Sequence, residues 1–537
     1  MPPVQPKRSN LEAAPRAARL RYYTAVAVVA ALATLSAGQI FRVPFVVLAL
    51  LAIYALGPLR ADHAYHVRAT QLGCKPAPFY PWDVLGIRYL VETARALREN
   101  VMLERRKQAL EEMGHTYLHG TFPDWNYCVT SDEPENVKAV LAGSFTDWDL
   151  PAIRIKSFLP VLGRHSIFTT NGGEWQHSRA ILRPAFVRDQ ISDLECVDRH
   201  VKRFITLIPA DGTAFDLQAM FSMLTTDTIS DFMFGQSTDL LGDAPDESYR
   251  FGRYFDAAMA KIARRARLGW LTLLRRDPEL DEYSEFMRAF VGRFVSDVRN
   301  ARDPVDTNTY RADAKKYVFL DELLKSGESN EAICDHLLSI FTAGRDTTTS
   351  VLSYLFFELS RRADVVAAIR AEITALGHEN PTWEELRNMK YLSWVIKETL
   401  RLNPPVASNQ REAVRDTVLP RGGGADGSAP VFVQKGTNFR YLPWVMHRRT
   451  DLFGADAEAF RPERWKDLKV TYEYVPFNAG PRICIGQQFA LTQIALITFR
   501  LLQVFKAIER RDDRPPAQKL GINLSMLYGC LVSVSPA

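Results

Sequence analysis

With 537 residues and 67 Lys and Arg against 62 Asp and Glu, the chain carries a formal charge of only +5. No basic cluster is interleaved with aromatic residues, so nucleic acid is excluded as a partner, while a mildly basic surface suits an anionic membrane or an acidic protein. Hydrophobic residues at 47% can fill a large core, and the six scattered cysteines, without any Cys-x-x-Cys pair, fit a reducing compartment and exclude zinc-ribbon and iron–sulfur spacings.

In chain order, residues 1–21 form a basic tail, with Lys7, Arg8, Arg16, Arg19 and Arg21 against Glu12. Tyr22 to Phe41 and Val43 to Leu59 contain no charge, and only Arg42 separates them. A span needs about 20 apolar residues, so 22–59 reads as a membrane anchor, either one span or a hairpin of two; a buried core hairpin is the alternative. The positive-inside tendency keeps the tail cytosolic. Residues 60–90 follow as a Pro-rich linker; its Gly73-to-Pro81 stretch cannot be regular helix and makes a semi-rigid spacer, with a plain turn-rich linker as the alternative. The remainder, 91–537, is expected to be one large, mainly α-helical domain with small β-sheets.

Within it, Trp175 and Arg179 stand one helical turn apart and can present an indole N–H and a guanidinium to one carboxylate; an ordinary amphipathic helix would look the same. A polar loop runs from about Asp303 to Lys315. Asn330 to Arg361 has helical periodicity, with Ile333, Leu337, Ile340, Phe341 and Gly344 recurring on one face. Its middle, Ala343 to Thr348, combines a helix-weakening glycine with threonines that can bond the carbonyl four residues back. The spacing of Ala343 and Thr347 predicts a local opening of the helix; a Thr-rich core helix with Asp346 on a solvated face is the plainer reading. Tyr391 to Leu402 is a second helix, ended by Pro404-Pro405, with Glu398 and Arg401 on one side. Arg421 to Ser428 is a Gly-rich turn between strands and lacks the Lys of a phosphate-binding loop.

The most specific run is Phe477-x-x-Gly480-x-Arg482-x-Cys484-x-Gly486. It reads as a loop that presents one thiolate to a haem iron. A helix from Gly486 to about Leu502 points its amides at the sulfur. Gly480 and Gly486 leave room for backbone beside a porphyrin, Arg482 suits a propionate, and Phe477 keeps water from the sulfur. An axial thiolate favours oxygen activation over simple electron transfer.

This pattern resembles the haem-binding signature of the cytochrome P-450 family, and the resemblance implies that family's fold: a single large haem domain behind an N-terminal anchor. It implies haem b as cofactor with Cys484 as the metal ligand, and Trp175, Arg179, Arg411 and Arg482 as propionate holders. Thr347 is implied to hold dioxygen and a water, with Asp346 relaying protons; Thr349 departs from the Ala common there. Glu398, Arg401 and Arg464 are implied to form a buried structural triad. Ile340, Ala343, Val406 and Ala407 are placed along a substrate pocket by family position, and Asn403 replaces a common aromatic.

Further stretches (Gly163 to Thr169, Glu174 to Pro184, Leu419 to Gly424, Glu458 to Trp465) are similar to the fungal membrane-bound hydroxylases of alkanes and fatty acids. The expected activity is monooxygenation of a small apolar substrate, a long aliphatic chain attacked at or near its terminus. Oxidation of a polyketide or terpenoid, a haem-thiolate isomerase or dehydratase, and a non-catalytic haem sensor are the alternatives. No flavin or nicotinamide fingerprint is present, so FAD, FMN and NADPH enter through a separate NADPH-cytochrome reductase, with cytochrome b5 as a further partner. Arg183, Lys466 and Lys469 are candidate contacts for it. The implied location is the endoplasmic reticulum membrane, in contact with lipid, with the catalytic domain facing the cytosol.

Overall fold

The computed structural model describes residues 65–80, 87–120, 127–187, 194–269, 276–300 and 318–536. The basic tail, the uncharged stretches of 22–59 and the polar loop of 303–315 lie outside them. Among the described residues no helix is long and apolar enough to cross a membrane. The described residues form two compact units, one from those up to 149 together with 408–446, the other from those in 150–407 and 447–536.

The first unit is built on β-strands. β1 (Thr116–Gly120), β2 (Tyr127–Ser131), β3 (Trp148–Asp149), β4 (Asn409–Ala413) and a strand at Asn438–Tyr441 form a five-stranded sheet. β1 and β2 form an antiparallel pair, and β2 runs parallel to Asn438–Tyr441, which also pairs antiparallel with β4. Thr417–Gly423 and Ala429–Val433 make a separate hairpin around the expected Gly-rich turn. Gly422 there has φ 110°, and a Cβ on it would lie 2.5 Å from Thr116 Cγ2, so both conformation and space require glycine. The Pro-rich segment is not a free spacer. Lys75 N–H donates to Pro430 O, Gly424 N–H to Pro76 O, and Tyr80 N–H to Leu118 O, so prolines that leave their own donors missing still lend carbonyls to neighbouring backbone.

The second unit is helical. The helices that position the site are α1 (Gly172–Leu182), α2 (Leu217–Phe234), α3 (Asp246–Leu268), α4 (Asn330–Leu359), α5 (Lys390–Leu402) and α6 (Gln487–Val504). Ser329 caps α4, its Oγ accepting from Ala332 N–H, and Asp216 caps α2 in the same way. Leu337, Leu338, Leu352, Leu355 and Phe356 of α4 are fully buried. Around its first half the core is aromatic: Phe341 meets Phe251 and Phe255 edge-on at 5.0 and 4.9 Å. Small antiparallel pairings close the unit, the strand Leu531–Pro536 joining Phe505–Arg510 and Phe215–Asp216.

α4 runs unbroken through Ala343–Thr348, so the expected opening is absent. Thr347 Oγ1 does donate to Ala343 O at 2.6 Å, but the hydroxyl shares that carbonyl with the helix and does not displace the helical bond. Gly344 serves a different purpose from loosening the helix. A Cβ on it would stand 2.7 Å from Ile229 Cδ1 of α2, so the glycine lets two helices approach closely.

Candidate active site

The cysteine loop is a tight turn closed on itself. Cys484 N–H donates to Phe477 O at 2.9 Å and Ile483 N–H to Gly480 O at 3.0 Å. The Asn478 amide donates to Arg482 O at 3.0 Å. Asn478 and Gly480 both have left-handed backbones, φ 64° and 65°; Asn tolerates that region and Gly adopts it without strain. Gly486 is not conformationally compelled: a Cβ there would make only ordinary contact with Phe186, 3.5 Å away. The helix that follows begins at Gln487 with Gly486 as its N-cap.

Cys484 is open to solvent yet crowded by protein atoms. That crowding pushes its thiol pKa up, while the Gly486 N–H and the nearby Arg179 guanidinium pull it down. A metal cation at the sulfur would settle the balance in favour of thiolate.

Three predicted cofactor residues meet beside this loop. Trp175 is buried in α1; the Arg482 guanidinium lies 4.3 Å from its ring centre and that of Arg179 lies 5.8 Å away. Arg482 is aimed by Thr170 O at 3.2 Å and Asn171 Oδ1 at 2.9 Å. Asn171 in turn exchanges two bonds with the Leu150 backbone. The sequence carried a signal for Asn171, a helix N-cap residue before Gly172-Gly173, but none for its bond to Arg482. Arg179 is half-buried and has no carboxylate partner among the described residues, and burial pushes its pKa down. A partly desolvated guanidinium without a carboxylate partner among the described residues, next to an indole and a second guanidinium, fits an acidic ligand edge. Haem propionates supply one, and a Cys sulfur beside them fits the iron.

Arg411 belongs to the first unit. It is buried in β4, an interior strand of the sheet, and donates to Gln410 O at 2.8 Å.

Asp346 and Thr347 sit in a polar network of α4. Arg345, almost fully buried, donates to Asp346 Oδ1 at 2.9 Å, to Thr226 Oγ1 and Ser222 Oγ of α2 at 2.9 Å each, and to Asp256 of α3. Burial raises the Asp346 pKa against the pull of Arg345. Thr349 donates to Arg345 O at 3.0 Å and shares a 2.7 Å bond with Thr225. Of the four pocket residues, Ala343 and Val406 are partly exposed. Ile340 (3% exposed) packs in the aromatic core and Ala407 (1%) is buried.

The structural triad forms as expected. Arg401 grips Glu398 with two bonds of 2.9 and 2.8 Å, and Arg464 adds a third at 2.9 Å. Trp465 Nε1 and the Arg461 N–H complete the carboxylate's shell at 3.0 and 2.9 Å. The remaining guanidinium donors go to the carbonyls of His447, Ala457, Ala459, Phe453 and Asp456. Bonding this complete offsets the desolvation cost of the buried charges.

Comparison with known proteins agrees with this geometry. The Cytochrome P450 family model matches residues 76–527. Cytochrome P450 monooxygenase himC of Aspergillus japonicus is 40% identical over 475 residues, covering 87% of this chain and 84% of the relative. Cytochrome P450 52A13 of Debaryomyces hansenii is 39% identical over 427 residues, 76% and 81% of the two chains. Cytochrome P450 52A3-B of Candida maltosa is 36% identical over 486 residues, 87% and 92%. The chain belongs to the cytochrome P450 family, whose members are haem-thiolate monooxygenases supplied with electrons by a reductase.

Proposed function

We propose that this monooxygenase hydroxylates a long aliphatic chain, a fatty acid or n-alkane, at or near its terminus, while anchored in the endoplasmic reticulum membrane with the haem domain facing the cytosol. The observation that carries the substrate class is the pair of uncharged stretches at 22–41 and 43–59, which would hold the enzyme where such substrates dissolve. The two departures from family pattern do not oppose it. The Thr349 hydroxyl is occupied between Arg345 O and Thr225, and Asn403 is buried and bonded to Gln518, so neither gives the substrate a polar partner.

Cys484 would hold the iron, and Trp175, Arg179 and Arg482 the propionates, with Arg411 as a further donor. Bound haem supplies the oxygen activation that an unactivated C–H bond demands. Asp346, partly exposed and with its pKa raised by burial, is placed to pass a proton from solvent inward. Thr347 Oγ1 gives its own hydrogen to Ala343 O, which leaves its lone pairs free to accept from a water and hold it in line. With haem over the loop, the apolar ring of Phe477 would help keep water from the sulfur. Arg183, Lys466 and Lys469 are all exposed, as is Ile483 of the cysteine loop, and so available to an acidic reductase or cytochrome b5.

The test is spectroscopic. Carbon monoxide added to the reduced protein should give the red-shifted Soret band of thiolate ligation. Titration with fatty acids, alkanes and cyclic polyketides or terpenoids should then show a low-to-high spin shift for the linear chains. A shift confined to the cyclic compounds would overturn the aliphatic reading in favour of secondary-metabolite oxidation.

A further inference from the structure

Away from the haem-side residues, Cys196 and His200 stand one turn apart on the helix Glu195–Thr206, and Asp231 of α2 faces both. Cys196 Sγ lies 3.3 Å from Asp231 Oδ2, and His200 Nε2 lies 3.0 Å from the same oxygen. Among the described residues this is the only group of three metal-ligating side chains whose donor atoms all fall within 4.8 Å of one another. We propose that Cys196, His200 and Asp231 form a binding site for one thiophilic divalent cation, with Zn²⁺ as the natural occupant.

The argument is one of geometry and donor type. In a tetrahedral zinc site with bonds of about 2.0–2.3 Å, neighbouring ligand atoms are roughly 3.3–3.8 Å apart. The two separations from Asp231 Oδ2, 3.3 and 3.0 Å, are within a few tenths of an ångström of that edge, and the sulfur and imidazole nitrogen lie within 4.8 Å of each other, so side-chain adjustment alone can close the site. The i, i+4 spacing puts thiol and imidazole on one helix face without loop rearrangement. A sulfur and an imidazole beside one carboxylate select zinc-like ions over Mg²⁺ or Ca²⁺, which demand oxygen cages.

Without metal, cationic charge comes from Arg199, which donates to Asp231 Oδ2 and whose side chain is 53% exposed. Arg199 can therefore swing into solvent and yield its place to the ion. On binding, the Cys196 thiol proton leaves to solvent as the sulfur–metal bond forms, and His200 ligates as neutral imidazole. Three protein ligands are then in place and the fourth position, on the side Arg199 vacates, is open to water. The helix Glu195–Thr206 is also tied to α6 through Asp198 and Arg500, 2.6 Å apart. The ion would thus pin α2 to a helix already fastened to the one that follows Cys484.

The experiment uses haem-loaded protein, so that Cys484 is already occupied, dialysed against a chelator and titrated calorimetrically with Zn²⁺. Wild type should bind one equivalent. Cys196→Ser and His200→Ala should each weaken binding by more than about tenfold, whereas Arg199→Gln should tighten it by removing the competing cation. Cys196→Ser is nearly isosteric and Arg199→Gln alters an exposed side chain, so both should keep the fold and the Soret spectrum. Cadmium-113 NMR of the loaded site should report a single sulfur ligand, a signal absent from Cys196→Ser. Failure of wild type to bind one equivalent, or binding indifferent to both Cys196→Ser and Arg199→Gln, would overturn the proposal.

Discussion

His447 Nε2 accepts the backbone N–H of Val475 at 3.0 Å, two residues before the cysteine loop begins. The other ring nitrogen, Nδ1, faces Arg401 O at 3.1 Å, and Arg401 donates to the His447 carbonyl. One imidazole therefore joins the Glu398 ion-pair group to the segment that delivers Cys484. Acceptance at Nε2 requires the neutral ring with its proton on Nδ1.

That requirement makes stability depend on pH. Burial pushes the His447 pKa down to about 3, whereas an unfolded histidine titrates near about 6.5. Between these values the unfolded chain holds a proton that the folded one does not. The contribution is complete above about 6.5 and is lost as pH falls towards 3, at up to about 1.4 kcal/mol per pH unit. His447→Gln, which can donate and accept without charging, should show a shallower loss of urea-unfolding free energy from pH 6 to 4. Parallel slopes for the two proteins would remove His447 as the linking group.

Glu398 is the centre of a fully buried group with two guanidiniums. Glu398→Ala leaves Arg401 without a carboxylate and Arg464 with only Asp456, 3.2 Å away, and should cost about 3–5 kcal/mol, with haem-loaded protein falling in yield. Glu398→Gln keeps one acceptor and should be milder. Denaturant unfolding together with haem content per chain measures both effects, and a Glu398→Ala protein as stable as wild type would contradict the triad's role.

Arg179 gives two readouts of opposite sign. A half-buried cation without a carboxylate partner among the described residues strains the haem-free protein. Arg179→Met should leave haem-free stability unchanged or raise it by about 1 kcal/mol, while speeding haem transfer to an acceptor globin at least severalfold. A variant that lost stability and haem affinity together would show that Arg179 holds the fold and not the cofactor.

The ion-pair group, the cysteine loop and the course of α4, α5 and α6 were legible because each is written locally. Glu398 and Arg401 share a helix face, Cys484 lies among glycines and an arginine at fixed spacing, and the helices carry their periodicity and caps. What was not legible depends on distant partners. Gly344 looked like a weak point until Ile229 was seen against it. Arg345 showed no sign of its bond to Asp256, nor Arg482 of its support from Asn171. The Pro-rich segment looked like a spacer because nothing local marks the Lys75 N–H that binds Pro430 O or the Pro76 carbonyl that binds Gly424 N–H.

Thr347→Ala removes the hydroxyl but not the helix, since α4 keeps its backbone bonds through that turn. Haem content and substrate-induced spin shift should stay as in wild type, while oxygen consumption continues with hydrogen peroxide replacing much of the product. A fully coupled Thr347→Ala enzyme would remove the water-holding role given to Oγ1.

Gly344→Ala separates helix propensity from helix packing. In an isolated helix the change should stabilise by about 1 kcal/mol. In this protein the new methyl meets Ile229 Cδ1 at 2.7 Å and Cγ1 at 3.1 Å. Overpacking of this kind costs about 1–3 kcal/mol, so the net effect should be destabilising or near neutral. Ile229→Val deletes the Cδ1 atom that makes the closest contact. On its own it should cost about 0.5–1.5 kcal/mol, yet in the Gly344→Ala background it should cost less or even stabilise. The double-mutant cycle should therefore give a favourable coupling of about 1 kcal/mol. Because Thr225 and Thr349 bridge the same pair of helices, pushing α2 away should also alter the substrate-induced spin shift. If the two substitutions were additive in urea unfolding, the close approach of α2 to α4 would not be what fixes glycine at this position.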